Sequence, residues 1–230
     1  MNDTTTRHTG LASISLFGDL STEELDELSS HLRRQRYAKG DPIFFCGDPG
    51  SSLYIVESGR VKIGLTADDG REAILSLMGP GSFFGELALL DGEPRSADAS
   101  ALEACQLLVL QRDDFARFLE ARPQVTTRLL AVVSRRLRAN AQTMQDAAFL
   151  DVAARLARTL LNLADGHGQT EEGGVRILPK LTQTELAGMI GASRESVNKW
   201  LAFYERQKLI RLNRGQIMVL EPVGLQKRIY

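Results

Sequence analysis

The sequence has little of what redox or metal chemistry is built from. It holds two cysteines, Cys46 and Cys105, in 230 residues. That is too few for a disulfide framework or a four-cysteine iron–sulfur site within one chain. Both are expected to be small buried hydrophobes. The three histidines, His8, His31 and His167, are scattered without metal-ligand spacing and are expected on the solvated surface. No Ser/His/Asp set, metal cluster or P-loop stands out, so the chain does not read as an enzyme. No apolar run approaches the roughly 20 residues of a bilayer span. The opening residues, MNDTTTRHTG, are polar and lack the apolar region of a signal peptide. These absences predict a frayed N-terminus, no membrane partner and a cytoplasmic location.

What is present is ordinary for one or two globular domains: 43% hydrophobic and 25% charged residues. The net charge of -1 divides unevenly. Residues 151–230 carry 12 Lys+Arg against 8 Asp+Glu, and the first 150 carry 16 against 21. Opposite signs suggest different tasks, with an anion preferring the second part.

The pattern along the chain changes character twice. Ser21 followed by Glu24 reads as a capping box, opening a helix with Leu25, Leu28 and Leu32 on one face. From about residue 35 to 111, short runs such as SLYIVES, RVKIGLT, EAILSLM and CQLLVLQ are bounded by turn residues. Val61, Ile63 and Leu65 alternate with Lys62 and Gly64, the period of a half-buried strand, and DDG at 68–70 signals a hairpin. Many short strands at this spacing predict an antiparallel sandwich or barrel. Helical pattern returns at Asp113. After Pro123 a long segment runs to Leu150 without glycine or proline, and Leu130, Val133, Leu137, Asn140, Met144 and Ala147 form one seam. Such a seam is expected to pack on a second copy of the chain. Asp151 then caps a new helix, VAARLARTLLNLA, with a candidate hinge at 149–151 and a loop at DGHGQTEEGG.

Two stretches carry chemistry. FGELALLDGEPRSADA, residues 84–99, sets Glu86 and Arg95 nine positions apart on a short, bendable segment. It reads either as a surface ion pair or as a pocket needing both an acceptor and an anion clamp. Nearer the C-terminus, Thr182 and Glu185 form a second capping box, Leu186 and Ile190 give an apolar face, and Gly191 makes a tight turn. Ser193 then caps a helix with Val197 and Leu201 inward, and LIRL–NRG–QIMVL supplies a hairpin wing. This is the grammar of a winged helix-turn-helix. Its second helix exposes Arg194, Glu195, Asn198 and Lys199 at the end that enters the major groove of double-stranded DNA. Arg and Lys donate to guanine and Glu accepts from cytosine. Thr182, Ser193 and Ser196 are expected to position phosphates.

From about residue 14 onward the chain resembles the CRP/FNR superfamily of bacterial transcription regulators, especially the cyclic-AMP receptor proteins. FGELALL…PRSA looks like their phosphate-binding cassette, AFLDVAARLARTLLNLA like their hinge and first DNA-domain helix, and GASRESVNKW like their recognition helix. The resemblance implies an α+β chain with a double-stranded β-helix (jelly-roll) cyclic-nucleotide-binding domain at 1–122. A long dimerisation helix with its hinge follows at 123–150, and a winged helix-turn-helix DNA-binding domain at 151–230. It implies cyclic AMP as effector. Arg95 and Ser96 would hold the phosphate, Glu86 would accept from the ribose 2′-OH, and backbone N–H groups from Gly85 to Leu87 would approach closely. It also implies a homodimer that presents two recognition helices to a palindromic site and works with RNA polymerase. Where cyclic-AMP receptors carry a Thr-Ser or Thr-Asn pair against adenine, this chain has Asn140–Ala141, and only Asn140 can bond a purine edge. Lys199 stands where well-studied members carry a second arginine. The same frame admits a regulator of another effector, cyclic di-GMP or cyclic GMP, or one active without ligand.

Overall fold

The computed structural model describes residues 11, 12, 14 and 16–229. The expected frayed tail and His8 lie outside the described residues. Two compact units form, one from residues up to Leu65 with Ser76–Arg138, the other from Thr66–Leu75 with Ala139 onward.

In the first part of the chain, helix α1 (Thr22–His31) starts at the capping box: Ser21 Oγ accepts from the Glu24 N–H, and Glu24 Oε2 accepts from the Ser21 N–H. Then come β1 (Arg33–Tyr37), β2 (Pro42–Phe44), β3 (Ser52–Ser58), β4 (Val61–Thr66), β5 (Glu72–Met78), β6 (Phe83–Phe84), α2 (Leu87–Asp91), β7 (Asp98–Ala101) and β8 (Cys105–Gln111). They make two four-stranded sheets, ordered β1-β8-β3-β6 and β2-β7-β4-β5. The expected jelly-roll sandwich is this pair. Strand β3 shows why its sequence is apolar on both faces. Leu53 and Ile55 enter a core shared with Leu25, Phe115 and Leu129, while Tyr54 and Val56 enter the core with Val61, Phe84 and Leu107. Both faces of a central strand are covered, so alternation with polar residues is not required.

Two expectations need correction here. Leu65 is exposed, because pairing of β4 with β7 ends at Gly64↔Asp98 and the strand runs out toward its hairpin. Cys105 is buried as expected, but Cys46 is exposed. It sits in the turn after β2, where its N–H donates to Asp98 Oδ1 (2.8 Å). His31 is exposed as expected, with its Nδ1 3.1 Å from Asp114 Oδ1.

Helix α3 (Arg112–Ala121) leads through the buried Arg122, whose guanidinium donates to Glu24 and Glu27, into α4 (Pro123–Phe149). Val125 and Leu129 are buried, but Leu130, Leu137 and Met144 are 60%, 69% and 74% exposed. Val133, expected in the same seam, packs partly on the core of its own unit.

Asp151 Oδ1 accepts from the Ala154 N–H (2.8 Å) and starts α5 (Val152–His167). The segment expected as a loop instead completes α5, forms β9 (Gly168–Glu171) and supplies the first residue of β10 (Gly174–Ile177). After α6 (Gln183–Ile190) and α7 (Arg194–Arg206) come β11 (Ile210–Asn213), β12 (Gln216–Val219) and α8 (Pro222–Gln226). The strands form one sheet, ordered β11-β12-β10-β9. β10 becomes a strand because β12 offers it an edge, Val175 opposite Val219. Local composition gives no sign of that pairing.

Tyr204 is fully buried and its hydroxyl donates to the Ala153 carbonyl (2.7 Å). Burial pushes its phenol up to about 12. An unfolded tyrosine ionises near 10, so the unfolded chain gives up its proton first and stability falls as pH rises from about 10 through about 12. At pH 11 this amounts to about 1 kcal/mol. Urea unfolding at pH 9 and pH 11 should show that loss for the natural chain relative to Tyr204→Phe. The phenylalanine variant should itself be about 1 kcal/mol less stable at pH 9.

Candidate functional site

The β-sandwich builds one polar site around residues 85–95. Arg95 is only 4% exposed. Its backbone is pinned on both sides: its N–H donates to the Asp48 carbonyl and its carbonyl accepts from the Gly47 N–H, each at 2.8 Å. The guanidinium donates through Nη1 to the Gly85 carbonyl (2.7 Å) and through Nη2 to the Ser52 carbonyl (2.8 Å). It lies 4.3 Å from the Phe44 ring centroid and 5.6 Å from that of Tyr54. Tyr54 in turn stacks on Phe84 at 5.3 Å. Burial lowers the Arg95 pKa and raises that of Tyr54. The Arg95 Nε is buried without a partner. A buried donor left unpaired costs free energy, and an anion reaching it would remove that cost. Gly85 is required where it stands: φ is +82°, and a Cβ there would meet Arg95 Nη1 at 2.6 Å.

Glu86 and Arg95 are brought together, yet the surface ion pair between them is not what forms. Glu86 is 3% exposed, and its Oε1 accepts from Arg136 Nη1 on α4 (2.7 Å). Arg136 Nη2 also donates to the Phe83 carbonyl, and the guanidinium sits 4.8 Å from the Phe83 ring. Leu87 and Ser96 are exposed. Asn140 lies one turn beyond Arg136 on the same face of α4 and is also exposed. Sequence reasoning missed Arg136, Phe44, Tyr54 and the Ser52 carbonyl. Arg136 had one available signal, its i,i+4 spacing to Asn140.

The second site is the face of α6 and α7. Thr182 Oγ1 accepts from the Glu185 N–H and donates to Glu185 Oε2 (2.8 Å). Gly191 ends α6 at φ +60°, the left-handed conformation that turns the chain. The carbonyls at that end are held by Arg155, whose Nε donates to Ile190 (2.8 Å). Ser193 Oγ accepts from the Ser196 N–H, and the two hydroxyls bond at 3.1 Å. The hydroxyls of Thr182, Ser193 and Ser196 are thus engaged in capping. Val197 and Leu201 are buried as expected, leaving Arg194, Glu195, Asn198 and Lys199 exposed on the outer side. Hydrogen bonds from its own backbone N–H and from Ser193 hold the Glu195 carboxyl below its ordinary range. Gln183, absent from the expected set, bonds Asn198.

A sandwich with a buried arginine beside a glycine-opened cassette, followed by a winged helix-turn-helix, defines the class of ligand-responsive DNA-binding regulators. The cyclic nucleotide-binding domain model matches residues 34–122 and the Crp-like helix-turn-helix domain model matches 154–228. The chain is 37% identical over 218 residues to the CRP-like cAMP-activated global transcriptional regulator of Mycobacterium tuberculosis, covering 95% of this chain and 97% of that one. It is 37% identical over 212 residues to the cyclic AMP receptor protein of Thermus thermophilus, covering 92% and 95%. Among solved structures, the c-di-GMP responsive global regulator CLP of Xanthomonas campestris aligns with a TM-score of 0.75 at 26% identity, covering 86% and 99%. This chain belongs to the CRP/FNR family of transcription regulators.

Proposed function

We propose that this chain is a cyclic-AMP-responsive, homodimeric transcription regulator that works in the cytoplasm. The observation that carries the reading is Arg95: a buried guanidinium with an unpartnered Nε, framed by Gly85 and Ser52. Two of its five N–H groups are spent on carbonyls, and the remainder suit a phosphodiester. Ser96 adds a hydroxyl, and the N–H groups at Gly85–Leu87 border the same space. Glu86, held by Arg136, accepts from the ribose 2′-OH, and Asn140 takes the purine edge. The names of the relatives support cyclic AMP over other cyclic nucleotides.

We divide the labour as 1–122 for the nucleotide, 123–150 for dimerisation and hinge, and 151–230 for DNA. The ligand acts through unequal affinity for two arrangements of the dimer. Arg194, Glu195, Asn198 and Lys199 face base edges, Thr182, Ser193 and Ser196 lie toward phosphates, and RNA polymerase is the downstream partner. Calorimetric titration with cyclic AMP, cyclic GMP and cyclic di-GMP tests the effector. Heat with cyclic AMP, together with tighter palindromic DNA binding, is expected. Specific DNA binding without any cyclic-AMP heat would overturn that assignment and favour cyclic di-GMP, cyclic GMP or ligand-free action.

Two substitutions test the assembly and the reader. Leu137→Glu places like charges on an exposed apolar face of α4. Burying an unpaired charge costs several kcal/mol, so dimer dissociation should rise by about a hundredfold or more. Sedimentation velocity should show a folded monomer. Arg194→Ala should lose about 1–3 kcal/mol of preference for the selected site over random DNA. Equal weakening on both duplexes would restrict that side chain to phosphate contact.

A further inference from the structure

On the outer face of the helix-turn-helix, Gln183 Nε2 donates to Asn198 Oδ1 at 3.0 Å. Gln183 is the first residue of α6, and Asn198 is the fifth residue of α7, one turn beyond Arg194 on the same face. Asn198 is exposed and Gln183 half-buried. Nothing in the packing of the helices requires this bond, since the core between them is made by Leu186, Ile190, Val197 and Leu201.

We propose that Gln183 sets the base preference of Asn198 by fixing which end of its carboxamide faces the DNA. Gln183 is then a positioning residue. The proposal rests on α7 reading DNA, as argued above. A free asparagine in the major groove pairs with adenine through both ends of its amide, the oxygen accepting from N6 and the nitrogen donating to N7. Here the oxygen is turned to Gln183, so the amino group is turned outward. The two-point match to adenine is withdrawn, and Asn198 becomes a donor. In the major groove guanine offers N7 and O6, thymine offers O4, adenine keeps N7, and cytosine offers only a donor at N4. The pair therefore accepts guanine, thymine or adenine at its base and disfavours cytosine.

This wiring can be reversed by one atom. In Gln183→Glu the side chain has no N–H to give, so Asn198 must turn its amino group inward and present its oxygen. The favoured bases then become adenine and cytosine, whose N6 and N4 groups donate. In Gln183→Ala the amide is released and the two-point match to adenine returns. A glutamate near DNA also weakens binding overall, so the quantity to read is the ratio among bases at one position within each variant.

The full-length protein with saturating cyclic AMP is used to select from synthetic duplexes bearing randomised palindromic half-sites. Selection is repeated for Gln183→Glu, Gln183→Ala, Asn198→Ala and Arg194→Ala, each checked by thermal melting. The expected result is a single half-site position that disfavours cytosine in the natural chain and is flattened in Asn198→Ala. In Gln183→Glu cytosine gains on guanine and thymine there by about 5- to 10-fold, the low end of what a base contact contributes. An unchanged preference in Gln183→Glu at a position that Asn198→Ala does flatten overturns the positioning role. No change in Asn198→Ala, with preference still lost in Arg194→Ala, overturns it too while leaving α7 as the reader. No selected sequence from the natural chain overturns the DNA-reading assignment itself.

Discussion

Replacing Arg95 by alanine is expected to cut cyclic-AMP affinity by about thirtyfold or more and also to weaken the sandwich. Losing one member of a buried charged contact costs about 2–5 kcal/mol in binding. The binding loss is expected because the planar fork suits a phosphate, the role proposed for Arg95. The fold loss follows from what the guanidinium does without ligand. The Ser52 carbonyl it binds and the Gly85 carbonyl beside it would lose their donor, and Phe44 would lose the cation on its ring. Unsatisfied buried carbonyls cost about 1–3 kcal/mol each at most. From the sequence alone this substitution would be expected to spare the fold, and the structure corrects that. Arg95→Lys separates the two effects by keeping a charge while losing the planar fork. Calorimetry on each variant below its melting temperature checks the assignment. Undiminished affinity in both would remove the clamp.

Arg136→Ala should be the next most damaging change. It leaves the Glu86 carboxylate, 3% exposed, without the cation that holds it. Breaking a fully buried pair from one side costs about 3–5 kcal/mol. Arg136 keeps 29% of its side chain in solvent, so about 2–3 kcal/mol is the reasonable scale here. Nucleotide affinity should fall with stability, because Glu86 loses its orientation. A double-mutant cycle with Glu86→Ala measures the coupling, expected at about 1–3 kcal/mol. A coupling near zero would mean that Arg136 only packs on Phe83. On the proposed function, this contact would couple the ligand to α4. The residue assigned to the ribose is held by the same helix that exposes Leu130, Leu137 and Met144.

The two sites were legible to different depths. The helix-turn-helix was nearly complete in the sequence, because its grammar is local. Ser193 caps a helix whose inward residues follow at fixed spacing, and Gly191 supplies the one conformation the turn needs. The cassette was half legible. Gly85, Glu86 and Arg95 lie within one short segment, but their partners come from β2, β3 and α4. The sandwich was expected from strand spacing, yet β9 and β10 were not, since Gly168–Ile177 is polar and glycine-rich and becomes a hairpin only beside β12.

By itself the sequence determined the capped helices, the strand pattern and the residue types of both sites. All of these depend on interactions a few residues apart, where backbone preference and apolar period act directly. Tertiary structure decided which of those side chains already had partners. It gave Glu86 to Arg136, Arg95 to two carbonyls and Asn198 to Gln183, because burial makes an unpaired polar group costly and the nearest partner in space is rarely the nearest in the chain.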